Sequence, residues 1–289
     1  MKPLNDKPFS DGNLLEPHPL ESITGVPSLL NELTERLIFL YKRGLTMSAT
    51  TPARKITRNY LTLSGQISSG KDNLPKFFEG PLESDFYMML DFDWLVDRFN
   101  PQPVTISYMD PTGLKREYTP DTLIFFKTGA KGARNMKPIL AEVKTRESIA
   151  AEGDLHVWQA KAGDEYARNF GWRYRVFTQD DIHVPYTKNA KFLRRFRYET
   201  VDRRYYDPMA DILHDVGELE IQELVIRTAA LLSPQQSDVE RRNLQLSMLP
   251  TLWHAITRDL FYANLEQRLE MNSKVKISRF GDLRYSPFK

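Results

Sequence analysis

Four residues have the types and spacing needed for hydrolytic chemistry: Glu83, Asp121, Glu142 and Lys144. Asp121 follows Pro120 at the start of one apolar run, and Glu142-Val143-Lys144 closes the next. Hydrolysing a phosphodiester requires charge to be neutralised on the non-bridging and leaving oxygens, and a water to be activated on the opposite face. Magnesium held by carboxylates serves both needs. Because it keeps several waters, two or three protein oxygens are enough to hold it. Asp121 and Glu142 are the candidate ligands, with Glu83 completing the set and the Val143 carbonyl as a further oxygen. Lys144 returns to the face of Glu142 by strand alternation. There its ammonium would orient the attacking water and stabilise the developing charge.

Each residue also has a plainer explanation. Glu142 and Lys144 could form an exposed cross-strand ion pair, Asp121 could simply start a strand, and Glu83 could be a first-turn acid favoured by the helix dipole. The elements around them decide how much weight the constellation bears. A helix is expected from Glu83, with Phe86, Met89, Leu90 and Trp94 among its apolar positions. Residues 104–108 alternate as a strand, Asp110-Pro111-Thr112-Gly113 makes a turn, and residues 115–119 return. Residues 121–127 are nearly all apolar, as in a strand buried on both faces. A Gly- and Lys-rich loop (128–137) leads to a strand at 138–144, then a helix at 154–169 and a strand at 173–178. This order predicts an α/β domain whose mixed sheet is flanked by helices. After residue 185 the pattern becomes mainly helical (204–216, 218–232, 250–260), with short strand-like pieces at 275–278 and 283–285. That suggests a winged-helix-like domain.

The chain has 289 residues, 41% of them hydrophobic, enough for one large or two small domains. No apolar run approaches the roughly 20 residues that span a bilayer, and no signal-peptide core is present, so no membrane association and a cytoplasmic location are expected. Absence of cysteine excludes disulfides, thiolate metal sites and a cysteine nucleophile. Net charge is only +2, but it is unevenly distributed. Arg54, Lys55, Arg58 and Lys71 form one basic stretch, and Lys191, Arg194 and Arg195 belong to a second, so both are candidate DNA contacts. The five histidines show no metal-ligand spacing. His156, Gln159 and Lys161 fall on the helix after the acid-x-Lys motif, where they could serve as auxiliary polar groups.

Several longer pieces resemble TnsA, the endonuclease subunit of the heteromeric transposase of Tn-seven-like elements. They are Ser68-Ser69-Gly70-Lys71, Glu79-Gly80-Pro81-Leu82-Glu83-Ser84-Asp85-Phe86, Leu90-Asp91-Phe92-Asp93, Gln102-Pro103, Tyr118-Thr119-Pro120-Asp121, Glu142-Val143-Lys144 and Lys191-Phe192-Leu193-Arg194-Arg195-Phe196-Arg197. The resemblance implies a restriction-endonuclease-like catalytic domain followed by a helical, winged-helix-like one. It implies cleavage of double-stranded DNA at the 5′ ends of the transposon while a partner, TnsB, processes the 3′ ends. It further implies magnesium, with manganese able to substitute, on Glu83, Asp121 and Glu142, with Lys144 as the catalytic lysine. A second partner, the ATP-dependent regulator TnsC, would contact the C-terminal region. The expected organisation is an arm and amphipathic helix at 1–49, the catalytic domain at 50–185 and the C-terminal domain at 186–289. Two rival readings share these residues: a stand-alone restriction or repair nuclease, and a non-catalytic bridging subunit.

Overall fold

The computed structural model describes residues 64–129, 136–235, 237–279 and 284–288. The expected arm and helix before residue 50 lie outside them, as do Arg54, Lys55 and Arg58. The described chain begins with an antiparallel ribbon, β1 (Gly65–Ser68) and β2 (Pro75–Phe78). Helix α1 (Pro81–Phe92) follows, opened by Pro81 at the position where a missing N–H costs nothing. It buries Phe86, Tyr87, Met89 and Leu90. Next come β3 (Val96–Pro101), β4 (Ile106–Met109), β5 (Lys115–Tyr118), β6 (Thr122–Phe126) and β7 (Ile139–Val143). Helices α2 (Arg146–Glu152) and α3 (Asp154–Asn169) then cross over to β8 (Arg173–Phe177).

The main sheet has the order β3-β6-β7-β8. Its first two junctions are antiparallel and the last is parallel, so it is a mixed sheet. The parallel junction needs a crossover, which α2 and α3 supply. Strand alternation sends Ile124, Ile139 and Ala141 to the core beneath α1, and Leu123 and Leu140 to a second cluster beneath α3. Each of the leucines and isoleucines contributes about 1.5–3 kcal/mol on burial. Two-sided burial is why both strands read as continuous apolar runs.

The three strands expected between 104 and 127 do not share one sheet. β4 and β5 form a separate two-stranded hairpin, and the sheet's edge is β3, which the sequence reading passed over. Polar Asp97, Arg98 and Asn100 interrupt that segment, as an edge strand allows. Chain direction changes at Gln102, whose φ of 44° lies in the left-handed region between two prolines.

Beyond the sheet lie α4 (Gln179–Ile182), α5 (Pro185–Leu193) and a 3₁₀ turn (Arg194–Phe196). Then follow α6 (Arg203–Val216), β9 (Glu218–Glu220), α7 (Ile221–Leu232), α8 (Asp238–Thr257), β10 (Phe261–Ala263) and β11 (Lys274–Ile277). The three strands form an antiparallel sheet of order β10-β11-β9. The helix expected at 218 is preceded by β9, and the one expected at 250 begins already at Asp238, enclosing Pro250. The carbonyl this proline leaves without its usual donor belongs to Leu246, on an exposed stretch of α8 where water can serve it. The strand expected at 283–285 is absent from its described residues, 284 and 285.

One hydrophobic core joins α1 and the sheet to α5 through α8. Residues 284–288 return to it. Phe288, 2% exposed, sets its ring 6.0–6.4 Å from those of Phe177, Phe126 and Phe86. Phe288→Ala should therefore cost about 3–5 kcal/mol, as a buried phenylalanine does. Urea unfolding measures this, and a loss below about 1 kcal/mol would show that the ring is dispensable to the core.

Candidate active site

Antiparallel pairing of β6 with β7 brings the start of one strand beside the end of the other, so Asp121 and Glu142 meet at one end of the sheet. The Val143 amide donates to Asp121 Oδ2 at 2.6 Å, tying the two strand ends together. The Val143 side chain packs against the core, and alternation carries Lys144 to Glu142, Nζ to Oε1 at 3.4 Å. The same ammonium donates to Gln159 Oε1 of α3 at 3.0 Å and contacts Glu152 of α2. Asp121, Glu142, Lys144 and Gln159 line one cleft of about 550 Å³, together with Gln102, Thr105, Glu117, Tyr118 and Thr119. A second groove of about 580 Å³, between β4 and α3, is lined by Ile106, Met109, Trp158 and Tyr166 and gathers no comparable acids.

Glu83 stands behind this cleft. As the third residue of α1 it reaches back so that Oε2 accepts the Glu79 amide at 2.6 Å, which fixes the chain just before the helix begins. Its Oε1 accepts the Tyr87 hydroxyl, also at 2.6 Å, and that hydroxyl lies 3.1 Å from the Asp121 carbonyl. Glu83 thus touches the site through Tyr87 and does not line the cleft.

A further tyrosine holds Glu142, and a second one holds that tyrosine. The Tyr118 hydroxyl donates to Glu142 Oε2 at 2.6 Å and lies 2.9 Å from the Tyr174 hydroxyl. Tyr174 fits only because α3 has glycine opposite it: a Cβ on Gly163 would come 2.4 Å from the ring. Tyr118, Tyr174, Tyr87 and Glu152 have roles that sequence reasoning missed. A tyrosine closing the otherwise polar strand β5 was the one local signal.

The electrostatics follow from burial. Desolvation raises the carboxyl pKa of Asp121, and Glu142 and Glu83 add to the effect. Desolvation likewise raises Glu83 and Glu142. Burial works against the charge on Lys144, but Glu152 and Glu142 outweigh it and hold its pKa above the ordinary value. His156 is lowered by desolvation and by Lys144, and Lys161 lies 4.2 Å over the Trp158 ring.

Among the described residues no three acidic or histidine side chains converge closely enough to cage a metal. Four carboxylates line the cleft, those of Glu79, Glu117, Asp121 and Glu142, and the last two stand at adjoining strand ends. These hard oxygens fit magnesium, which completes its shell with water.

The described basic residues expected to contact DNA, Lys71, Lys191, Arg194 and Arg195, have partners within the protein. The Lys71 ammonium contacts the Asp93 carbonyl, and burial, with Lys127 nearby, lowers its pKa to about 8. Lys191 pairs with Asp85 at 2.6 Å, and Arg194 reaches Asp91 at 3.4 Å. Arg195 lies over the Phe192 ring at 5.4 Å.

A mixed sheet flanked by helices, with an acidic cleft at its strand ends, is compatible with the restriction-endonuclease-like class. Residues 95–179 match the family model described as TnsA-like endonuclease N terminal, so over that span the chain is similar to the TnsA family. The matched span contains Asp121, Glu142 and Lys144, while Glu83 precedes it. No curated protein is matched by the chain.

Proposed function

We propose that this chain is the metal-dependent endonuclease subunit of a Tn-seven-like transposase. In this reading it hydrolyses the phosphodiester at the transposon's 5′ ends while TnsB processes the 3′ ends. The observation that carries the reading is the convergence of Asp121, Glu142 and Lys144 in one cleft at the ends of adjacent strands. Asp121, Glu142 and the Val143 carbonyl would hold magnesium, or manganese in its place, with Glu83 supporting Asp121 through Tyr87. When bound, the cation neutralises phosphoryl charge and lowers the pKa of a water.

The chain's own groups orient the rest. Tyr118 fixes the Glu142 carboxylate. Gln159 and Glu152 hold the Lys144 ammonium, which is aimed to steady the water and the charge gathering on the scissile phosphate. The order α6-β9-α7-α8-β10-β11 supports a winged-helix reading of residues 186–289, proposed as the region that meets DNA and TnsC. No described helix is long and apolar enough to cross a membrane, and the proposed place of action is the cytoplasm, on double-stranded transposon ends.

Mapping 5′ ends on transposon-end DNA with TnsB and magnesium tests the assignment. The wild-type chain should leave discrete 5′ cuts, and Lys144→Ala should lose them while 3′ processing persists. Equal 5′ cutting by both chains would favour a non-catalytic bridging subunit.

A further inference from the structure

Gln102 lines the same cleft and has no part in the chemistry described so far. It is 4% exposed, and its side-chain Oε1 is buried with no hydrogen-bond partner in the protein. Leaving a buried carbonyl unpaired is unfavourable, because its lost hydration is not replaced. Its backbone is also strained: φ is 44°, a region that glycine or asparagine occupies with less penalty. The position is nonetheless tightly held. Pro101 and Pro103 flank it, and its amide donates to the Asp121 carbonyl at 2.7 Å. Two unfavourable features at one residue bonded to Asp121 fit strain retained for a function.

Resting on the nuclease reading above, we infer that Gln102 is a further binding residue of the cleft. Its amide oxygen accepts a hydrogen bond from a water in the shell of the cation held by Asp121 and Glu142. An amide oxygen suits this task because it accepts from water without adding negative charge to a cleft already crowded with carboxylates. Groups that orient a cation's outer shell typically change affinity or activity by ten- to a hundredfold when removed.

The test is Gln102→Met, which keeps length and shape but removes the acceptor. Manganese binding to the full chain by calorimetry and single-turnover cleavage with TnsB should each weaken by about ten- to a hundredfold. The melting temperature should hold or rise, because an orphaned carbonyl is lost. Gln102→Glu keeps an acceptor at the same reach and should bind manganese at least as tightly as wild type. It serves as the deciding variant should Gln102→Met fold poorly. Gln102→Met within twofold of wild type in both assays, or Gln102→Glu losing manganese binding, would overturn the inference. If Asp121→Asn, run alongside, is inactive in that event, the nuclease reading stands without it. A wild-type chain that neither binds manganese nor cuts would overturn both.

Discussion

Asp121→Asn is expected to lower single-turnover cleavage of transposon-end DNA about a thousandfold, equivalent to about 4 kcal/mol of transition-state stabilisation. The melting temperature in metal-free buffer should be unchanged or higher. Both halves follow from the surroundings of Asp121. Its carboxyl is desolvated and close to Glu142 and Glu83, which raises its pKa, so its charged form works against folding at neutral pH. An amide has the same shape, and its oxygen can still accept the Val143 amide bond that joins β6 to β7. Stability is therefore kept or gained while a cation ligand is weakened. A side chain serving only to start a strand would behave differently, with cleavage changing no more than stability does. Full 5′ cleavage by Asp121→Asn would remove the hydrolytic role from this cleft. Loss of cleavage together with a large fall in melting temperature would show a folding defect instead.

The acids and lysine of the cleft were legible because each sits where local pattern is strong. Residues 122–126 and 139–143 are short apolar runs, so the ends of those runs locate Asp121 and Glu142 even before any pairing is known. Helix α3 was equally legible, since its polar face and the flanking Gly153 and Gly171 mark both ends. Tertiary pairing was not. The contact between Tyr118 and Glu142 joins residues 24 apart, and the tyrosine that closes the otherwise polar β5 does not by itself say which residue it meets. Edge strand β3 escaped because its charged positions face outward and break the apolar period.

The second basic stretch shows a different limit. Lys191, Arg194 and Arg197 recur every third residue, a spacing that lines up one face of a helical turn. Sequence alone cannot say whether such a face meets phosphate, water or carboxylate. Here its carboxylate partners, Asp85 and Asp91, lie on α1, the helix that carries Glu83. The charge pattern was read correctly as a cluster, but its partner was supplied by the fold.

Asp91→Ala should destabilise the protein by about 3–4 kcal/mol, near the lower end for breaking a buried ion pair. Asp91 is 1% exposed and has four donors. Gly70 gives its amide at 2.6 Å, Ser69 its hydroxyl at 3.3 Å, Arg197 a guanidinium nitrogen at 2.9 Å and Arg194 another at 3.4 Å. Arg197 also donates to the Asp91 backbone carbonyl at 3.0 Å. Removing the carboxylate leaves two guanidinium charges and an inward-facing amide without their acceptor. Both arginines keep some contact with water, at 25% and 14% side-chain exposure, which places the cost below the maximum for a fully buried pair. For a unit of this size the melting temperature should fall by roughly 6–15 °C. Asp91→Asn retains an oxygen for Gly70 but loses the charge, and should fall between wild type and Asp91→Ala. Arg194→Ala then separates the two roles open to the basic stretch. As an internal tie it should lower stability by about 1–2 kcal/mol and leave the salt dependence of DNA binding unchanged. As a phosphate contact it would reduce the slope of log affinity against log salt by about one, with little effect on melting. Its partners Asp91 and the Ser68 carbonyl predict the first outcome, which makes the turn after α5 a fastener between α1 and the helices that follow.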